Sequence, residues 1–142
     1  MIRVFLVLCF AGLLSGCQTP LPEINYRGSL SAAVGDVTLA GDSFVTALTE
    51  KSGFHIESRT PRSRAPKDAI SVDYFLRNAS TKRVVIYVTA YQKERTIAVT
   101  IAGDFSSPVA IEAARTSERI FAQLFPGSSY TPFQRYQGLL GP

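Results

Sequence analysis

Residues 70–102 read ISVDYFLRNASTKRVVIYVTAYQKERTIAVTIA, and three alternating runs lie within them. In ISVDYFLR, Ile70, Val72, Tyr74 and Leu76 fall on one face. In RVVIYVTAYQ, Val84, Ile86, Val88 and Ala90 share a face, with Val85, Tyr87 and Tyr91 opposite. In RTIAVTIA, Ile97, Val99 and Ile101 alternate with small or hydroxyl-bearing residues. A period of two built from β-branched and aromatic residues is the pattern of half-buried strands. NASTK and QKE are short enough for hairpin turns, so the three strands form an antiparallel meander. One face of that sheet is strongly apolar and needs a cover.

The flanking segments supply it. Asp42 to Ser52 reads as a helix: Asp42 or Ser43 offers a capping oxygen, and Phe44, Val45 and Leu48 form a short apolar stripe. Gly53 is well placed just past its end. FHIES, residues 54–58, alternates like a further half-buried strand. Pro108 to Phe125 reads as a second helix, with Ser107 as cap and Pro108 at the first helical position. Ala113, Ser117, Ile120, Phe121 and Leu124 recur at helical spacing, and Pro126-Gly127 closes it. The expected fold is α+β, an antiparallel sheet of three to four strands covered on one face by two helices, in a single domain over 37–127. Residues 17–36 carry Pro20, Pro22, Gly28 and Gly35 and read mostly as a tether. Fully extended, such a tether spans about 60 Å. A short strand near Ser29 to Leu39, ending in VTLAG, is also compatible with them. Residues 128–142 form a tail with no assigned structure.

The N-terminus carries an address. Arg3 is the one charge before Glu23, and Val4 to Leu14 is apolar throughout. That run falls short of the about 20 residues a membrane span needs, but it suits the hydrophobic region of a secretory signal over residues 1–16. It ends in Leu14-Ser15-Gly16-Cys17, which resembles the lipobox of bacterial lipoproteins at every position. The resemblance covers only these first residues. It implies that the Cys17 sulfur receives a diacylglyceryl group, that the signal is cut just before it, and that the new amino group is acylated. Each buried methylene contributes about 0.8 kcal/mol, so two or three chains hold a protein almost permanently where one does so marginally. Gln18, where an Asp would imply retention in the inner membrane, implies the inner leaflet of the outer membrane, facing the periplasm of a Gram-negative host. A soluble secreted protein and an uncleaved apolar N-terminus are the alternatives.

The 142 residues carry a net charge of +4, which loss of Arg3 brings to about +3. This is not the concentrated positive charge of a nucleic-acid binder. Cys9 leaves with the signal and Cys17 is committed to lipid, so the folded part has no thiol and no internal disulfide. Its stability must come from a core, for which nine Phe and six Tyr are available.

A search for chemistry finds no catalytic residue, metal centre or cofactor motif. His55 is the one histidine and sits in an alternating segment, away from the phase of Phe54 and Ile56. GDSFV, residues 41–45, lacks the second glycine of a nucleophile elbow. Asp36, Asp42, Asp73 and Asp104 lie near turns or on an exposed strand face, as solvated charges do. GDVTLAGDS has neither the spacing nor the lysine of a phosphate loop. Two binding candidates remain. SRTPRSRAPKD places Arg59, Arg62, Arg64 and Lys67 within one segment, where guanidinium groups can meet phosphates or carboxylates, or simply keep a connector solvated. The tail presents Tyr130, Phe133 and Tyr136 among prolines and glycines, suited to docking on a partner or to folding back over the sheet.

The expected function is therefore a non-enzymatic binding or assembly component of the cell envelope, tied to the membrane through lipid on Cys17. Its partner would be an envelope protein or an anionic polymer. The alternatives are an unfamiliar envelope hydrolase and a module docking anionic lipids or glycans through the basic segment.

Overall fold

A computed structural model describes residues 23–64, 69–81, 83–105 and 107–133. Eight elements follow one another: β1 (Glu23–Ser29), α1 (Val37–Ser52), β2 (Phe54–Arg64), β3 (Ala69–Asn78), β4 (Val84–Tyr91), β5 (Thr96–Gly103), α2 (Pro108–Leu124) and β6 (Ser129–Phe133). The strands form one sheet in the order β2-β3-β4-β5-β1-β6, every neighbouring pair antiparallel. Among the described residues no helix is long and apolar enough to cross a membrane.

The class is α+β with two helices, but the expected three to four strands are six. The additional strands arise in the segments read as tether and tail. β1 reads EINYRGS: only Ile24 and Tyr26 mark its inner face, because Gly28 stands where a third large residue would. A Cβ on Gly28 would lie 2.3 Å from the Phe121 ring, so α2 packs directly on the backbone there. β6 reads SYTPF, too short and with too little alternation to announce itself. Tyr130 is its inward anchor, stacked on Tyr26 (centroids 4.8 Å) and on Phe121 (4.5 Å).

The first helix also begins earlier than the spacing predicts. VTLAG is its opening turn rather than the end of a strand. Asp36, not Asp42 or Ser43, is the cap, its Oδ1 accepting from the Thr38 and Leu39 amides at 2.7 and 3.2 Å. The second helix starts as expected at Pro108, capped by Ser107.

The core lies between the helices and the inner face of the sheet. Phe44, Val45 and Leu48 of α1 and Ala110, Ala113, Ile120 and Phe121 of α2 are buried with Val72, Tyr74, Leu76, Ile86, Val88, Ile97, Val99 and Ile101. Both sheet edges resist pairing with another chain. β2 carries Pro61 and a bulge between Ile56 and Ser58, and β6 carries Pro132.

Candidate binding groove on the open sheet face

Because both helices cover one face, every second residue of each strand is left on the other. Strand register lines these residues up in rows across the sheet. One row runs Ser58, Phe75, Tyr87, Thr100, Asn25, Phe133. The next runs Thr60, Asp73, Thr89, Ala98, Arg27, Thr131, and a third includes Arg62, Ser71, Tyr91 and Thr96.

The rows differ in height along their length. Phe75 and Tyr87 form a raised pair on β3 and β4, their centroids 5.0 Å apart and their planes 31° apart. Ala98 and Thr100 on β5 are small and half-buried. Arg27 and Phe133 rise again on β1 and β6, the guanidinium carbon 5.8 Å from the ring centroid. The result is an open groove of about 690 Å³ with a low floor along β5 and aromatic walls to either side. Thr100 donates to Asn25 Oδ1 at 2.7 Å across the floor, which fixes a polar centre between those walls.

The charges of this face are largely matched. Arg62 is ion-paired with Asp73. Arg77 donates to Glu57 at 2.9 Å and lies 5.4 Å from the Phe75 centroid. Such a surface offers aromatic planes, hydroxyls and paired charges rather than a field of one sign.

The basic segment does not form a cluster here. The bulge after Ile56 shifts the phase of β2, so Arg59 opposes Tyr74 on the helix side while Arg62 opposes Ser71 on the open side. Arg59 lies 5.7 Å from the Tyr74 centroid and binds both carboxylate oxygens of Asp42. That contact, foremost, holds the Asp42 carboxyl below its ordinary range, and the Tyr74 hydroxyl adds to it against the opposing effect of burial. The Tyr74 hydroxyl is raised by burial and then by its bond to Asp42. Arg64 pairs in register with Ala69 at the far end of the hairpin, and Lys67 lies outside the described residues.

Of the tail aromatics, Tyr130 turns inward and donates to Ser117 Oγ at 3.1 Å, and burial raises its hydroxyl strongly. Phe133 is on the groove wall, 37% exposed. Tyr136 and Cys17 lie outside the described residues. His55 is exposed at the edge of the open face, opposite Arg77. Among the described residues no three His, Cys, Asp or Glu side chains gather to hold a metal ion.

The groove residues Asn25, Arg27, Phe75, Thr89 and Thr100 were not legible as a group, because they come from four strands. The one signal was the opposite-face placement of Tyr87 and Tyr91.

No protein-family model and no curated protein matches the chain. Among solved structures, an adenosylmethionine decarboxylase from Aquifex aeolicus VF5 is similar at 9% identity and a TM-score of 0.46, over 82% of this chain and 92% of that one.

Proposed function

We propose that the chain is a lipid-anchored, periplasm-facing lipoprotein that binds a polysaccharide strand of the envelope in its open groove, without catalysing a reaction on it. Leu14-Ser15-Gly16-Cys17 supports the anchor. The observation that carries the ligand class is the low Ala98–Thr100 floor between the Phe75–Tyr87 pair and the Arg27–Phe133 pair. Sugar rings present apolar C–H faces and polar edges, and tyrosine-lined grooves with nearby hydroxyls offer complements to both. The groove lies on the helix-free face of the sheet, so a linear polymer can enter it from the side. Matched charges favour a polymer of low charge density over the strongly acidic one expected from the basic segment.

Carboxylate spacing supports binding over hydrolysis. Asp73 on β3 and Glu23 on β1 are separated by β4 and β5, about 14 Å across the sheet at the usual strand spacing. Glycosidases hold their two carboxyl groups about 5–9.5 Å apart.

Two measurements test the proposal. Mass spectrometry of the native protein should find the mature chain beginning at an acylated Cys17. The mature protein should co-sediment with purified cell-wall sacculi and be released by soluble glycan fragments. A native chain with an unmodified Cys17 would refute the anchor, and full recovery in the supernatant would refute the ligand.

A further inference from the structure

The anchor and the first strand are close in the chain. Only Gln18 to Pro22 lie between Cys17 and Glu23, and β1 begins at Glu23. An extended chain advances at most about 3.3–3.6 Å per residue. Glu23 is therefore held within about 21 Å of the Cys17 sulfur's attachment point, a third of the reach expected of the longer tether.

Strand register then says what else is held there. Glu23 is level with Ala102, Gly103 with Val84, Val85 with Arg77, and Asn78 with Phe54. One end of the sheet thus gathers the start of β1, the turn after Asn78 and the loop after Gly103. Ala79 and Ser80 are exposed in that turn. Arg83, which closes it, has a side chain 81% exposed that approaches Asp104 at 3.9 Å. The opposite end carries the β4–β5 turn at Gln92–Arg95 and the paired ends of β2 and β3 at Arg64 and Ala69.

From this arrangement we infer that the Glu23–Arg83 end of the sheet rests at the lipid headgroups of the leaflet that holds Cys17, with the strands and groove pointing away from it. This rests on Cys17 being lipidated. The exposed Arg83 guanidinium is placed to meet headgroup phosphates. Arg64 is displaced from that end by the length of β2, about 33 Å at 3.3 Å per residue. That is several times the Debye length of about 8 Å at physiological salt. Arg62 and Arg64, in the far half of β2, are thereby uncoupled from the phosphates of their own leaflet, and the groove opens into the space beyond.

The chain has no tryptophan, so a single introduced one reports without background. The mature chain is coupled through its Cys17 thiol to a maleimide phospholipid in phosphatidylethanolamine–phosphatidylglycerol vesicles bearing a dansyl headgroup acceptor. Coupling by chemistry separates this test from native lipidation, which the mass of the natural N-terminus reads independently. Energy transfer should be several-fold greater for A79W than for K93W, whose site lies in the β4–β5 turn. An insert of about 20 Gly-Ser residues after Gln18 should abolish the difference. S80W repeats the near-end reading should A79W lower the thermal midpoint. Equal transfer from both ends, or greater transfer from K93W, would overturn the orientation.

Discussion

Asp42 grips Arg59 across the boundary between helix and sheet: its two carboxylate oxygens accept from Nε and an Nη at 2.8 and 2.9 Å. The same Oδ1 accepts from the Tyr74 hydroxyl at 2.8 Å. Tyr74 is almost fully buried, so this carboxylate satisfies a hydroxyl that has little access to water. Arg59 is thereby part of the joint between α1 and the edge strand β2, not a free cation for a ligand.

The joint predicts an order of effects. Asp42→Ala leaves the buried Tyr74 hydroxyl without its acceptor and should cost about 1–3 kcal/mol. Tyr74→Phe removes donor and demand together and should cost less. Arg59→Ala should cost less than Asp42→Ala too, because its pair is open to solvent and screened. Urea unfolding of the three variants checks the order, and adding Asp42→Ala to Tyr74→Phe should cost less than the sum of the two.

Acid should weaken the same contact. Arg59, then Tyr74, lowers the Asp42 pKa from its ordinary 3.8. A depressed folded-state pKa contributes stability above the unfolded value, and that contribution is lost as pH falls through the folded one. The wild type should therefore lose stability more steeply than Asp42→Asn as pH is lowered below about 4. Urea midpoints measured from neutral pH downward should show the two curves converging; parallel curves would assign the acid sensitivity elsewhere.

At the other end of the sheet the base-sensitive group is Tyr26. Burial first, and Glu118 second, raise its hydroxyl to about 12. A raised folded-state pKa contributes stability below the unfolded value of 10.0 and loses it as pH rises toward the folded one. Absorbance titration of the folded chain should show Tyr26, Tyr74 and Tyr130 as a late group, ionising only above the ordinary tyrosine value of 10.0. Replacing Tyr26 with Phe should shrink the late group.

Gly28 predicts a steric failure. A methyl there would meet Cε2 and Cζ of Phe121 at 2.3 Å and Tyr130 at 3.1 Å. Those rings stack together and on Tyr26, so neither can retreat without opening the α2–β6 side of the core. Gly28→Ala should cost about 1–3 kcal/mol by overpacking. Pairing it with Phe121→Leu should recover part of that loss in thermal unfolding.

These residues also mark what the sequence disclosed. The β3–β5 meander was legible because each strand repeats large β-formers at every second position. β1 was hidden by Gly28, whose emptiness is a packing requirement that only the Phe121 ring reveals. The start of α1 was hidden because Val37, Thr38 and Leu39 look strand-like, whereas Asp36 capping settles them as helix. The basic segment misled because residues three apart on a strand point to opposite faces, and the bulge before them decides only that Arg62, not Arg59, lands on the open side. Tyr87 and Tyr91 were already set apart from the core-facing set, which was the one sequence trace of the open face.

The groove itself is tested most sharply by Tyr87. It is 48% exposed on the open face, touches Phe75, and takes no part in the helix-covered core. Truncation to Ala removes one member of an exposed cross-strand pair, a stability effect of about 0.2–1 kcal/mol. As an aromatic anchor for sugar rings its loss should cost at least about 1.4 kcal/mol of binding, a tenfold rise in Kd. Arg59→Ala serves as the contrasting variant, since its guanidinium sits on the helix side: it should lower stability while leaving the sacculus affinity unchanged. Co-sedimentation isotherms for Tyr87→Ala, Arg59→Ala and wild type, run where all three remain folded, separate the two faces. A reversed pattern, with affinity lost in Arg59→Ala and kept in Tyr87→Ala, would move the ligand off the open face altogether.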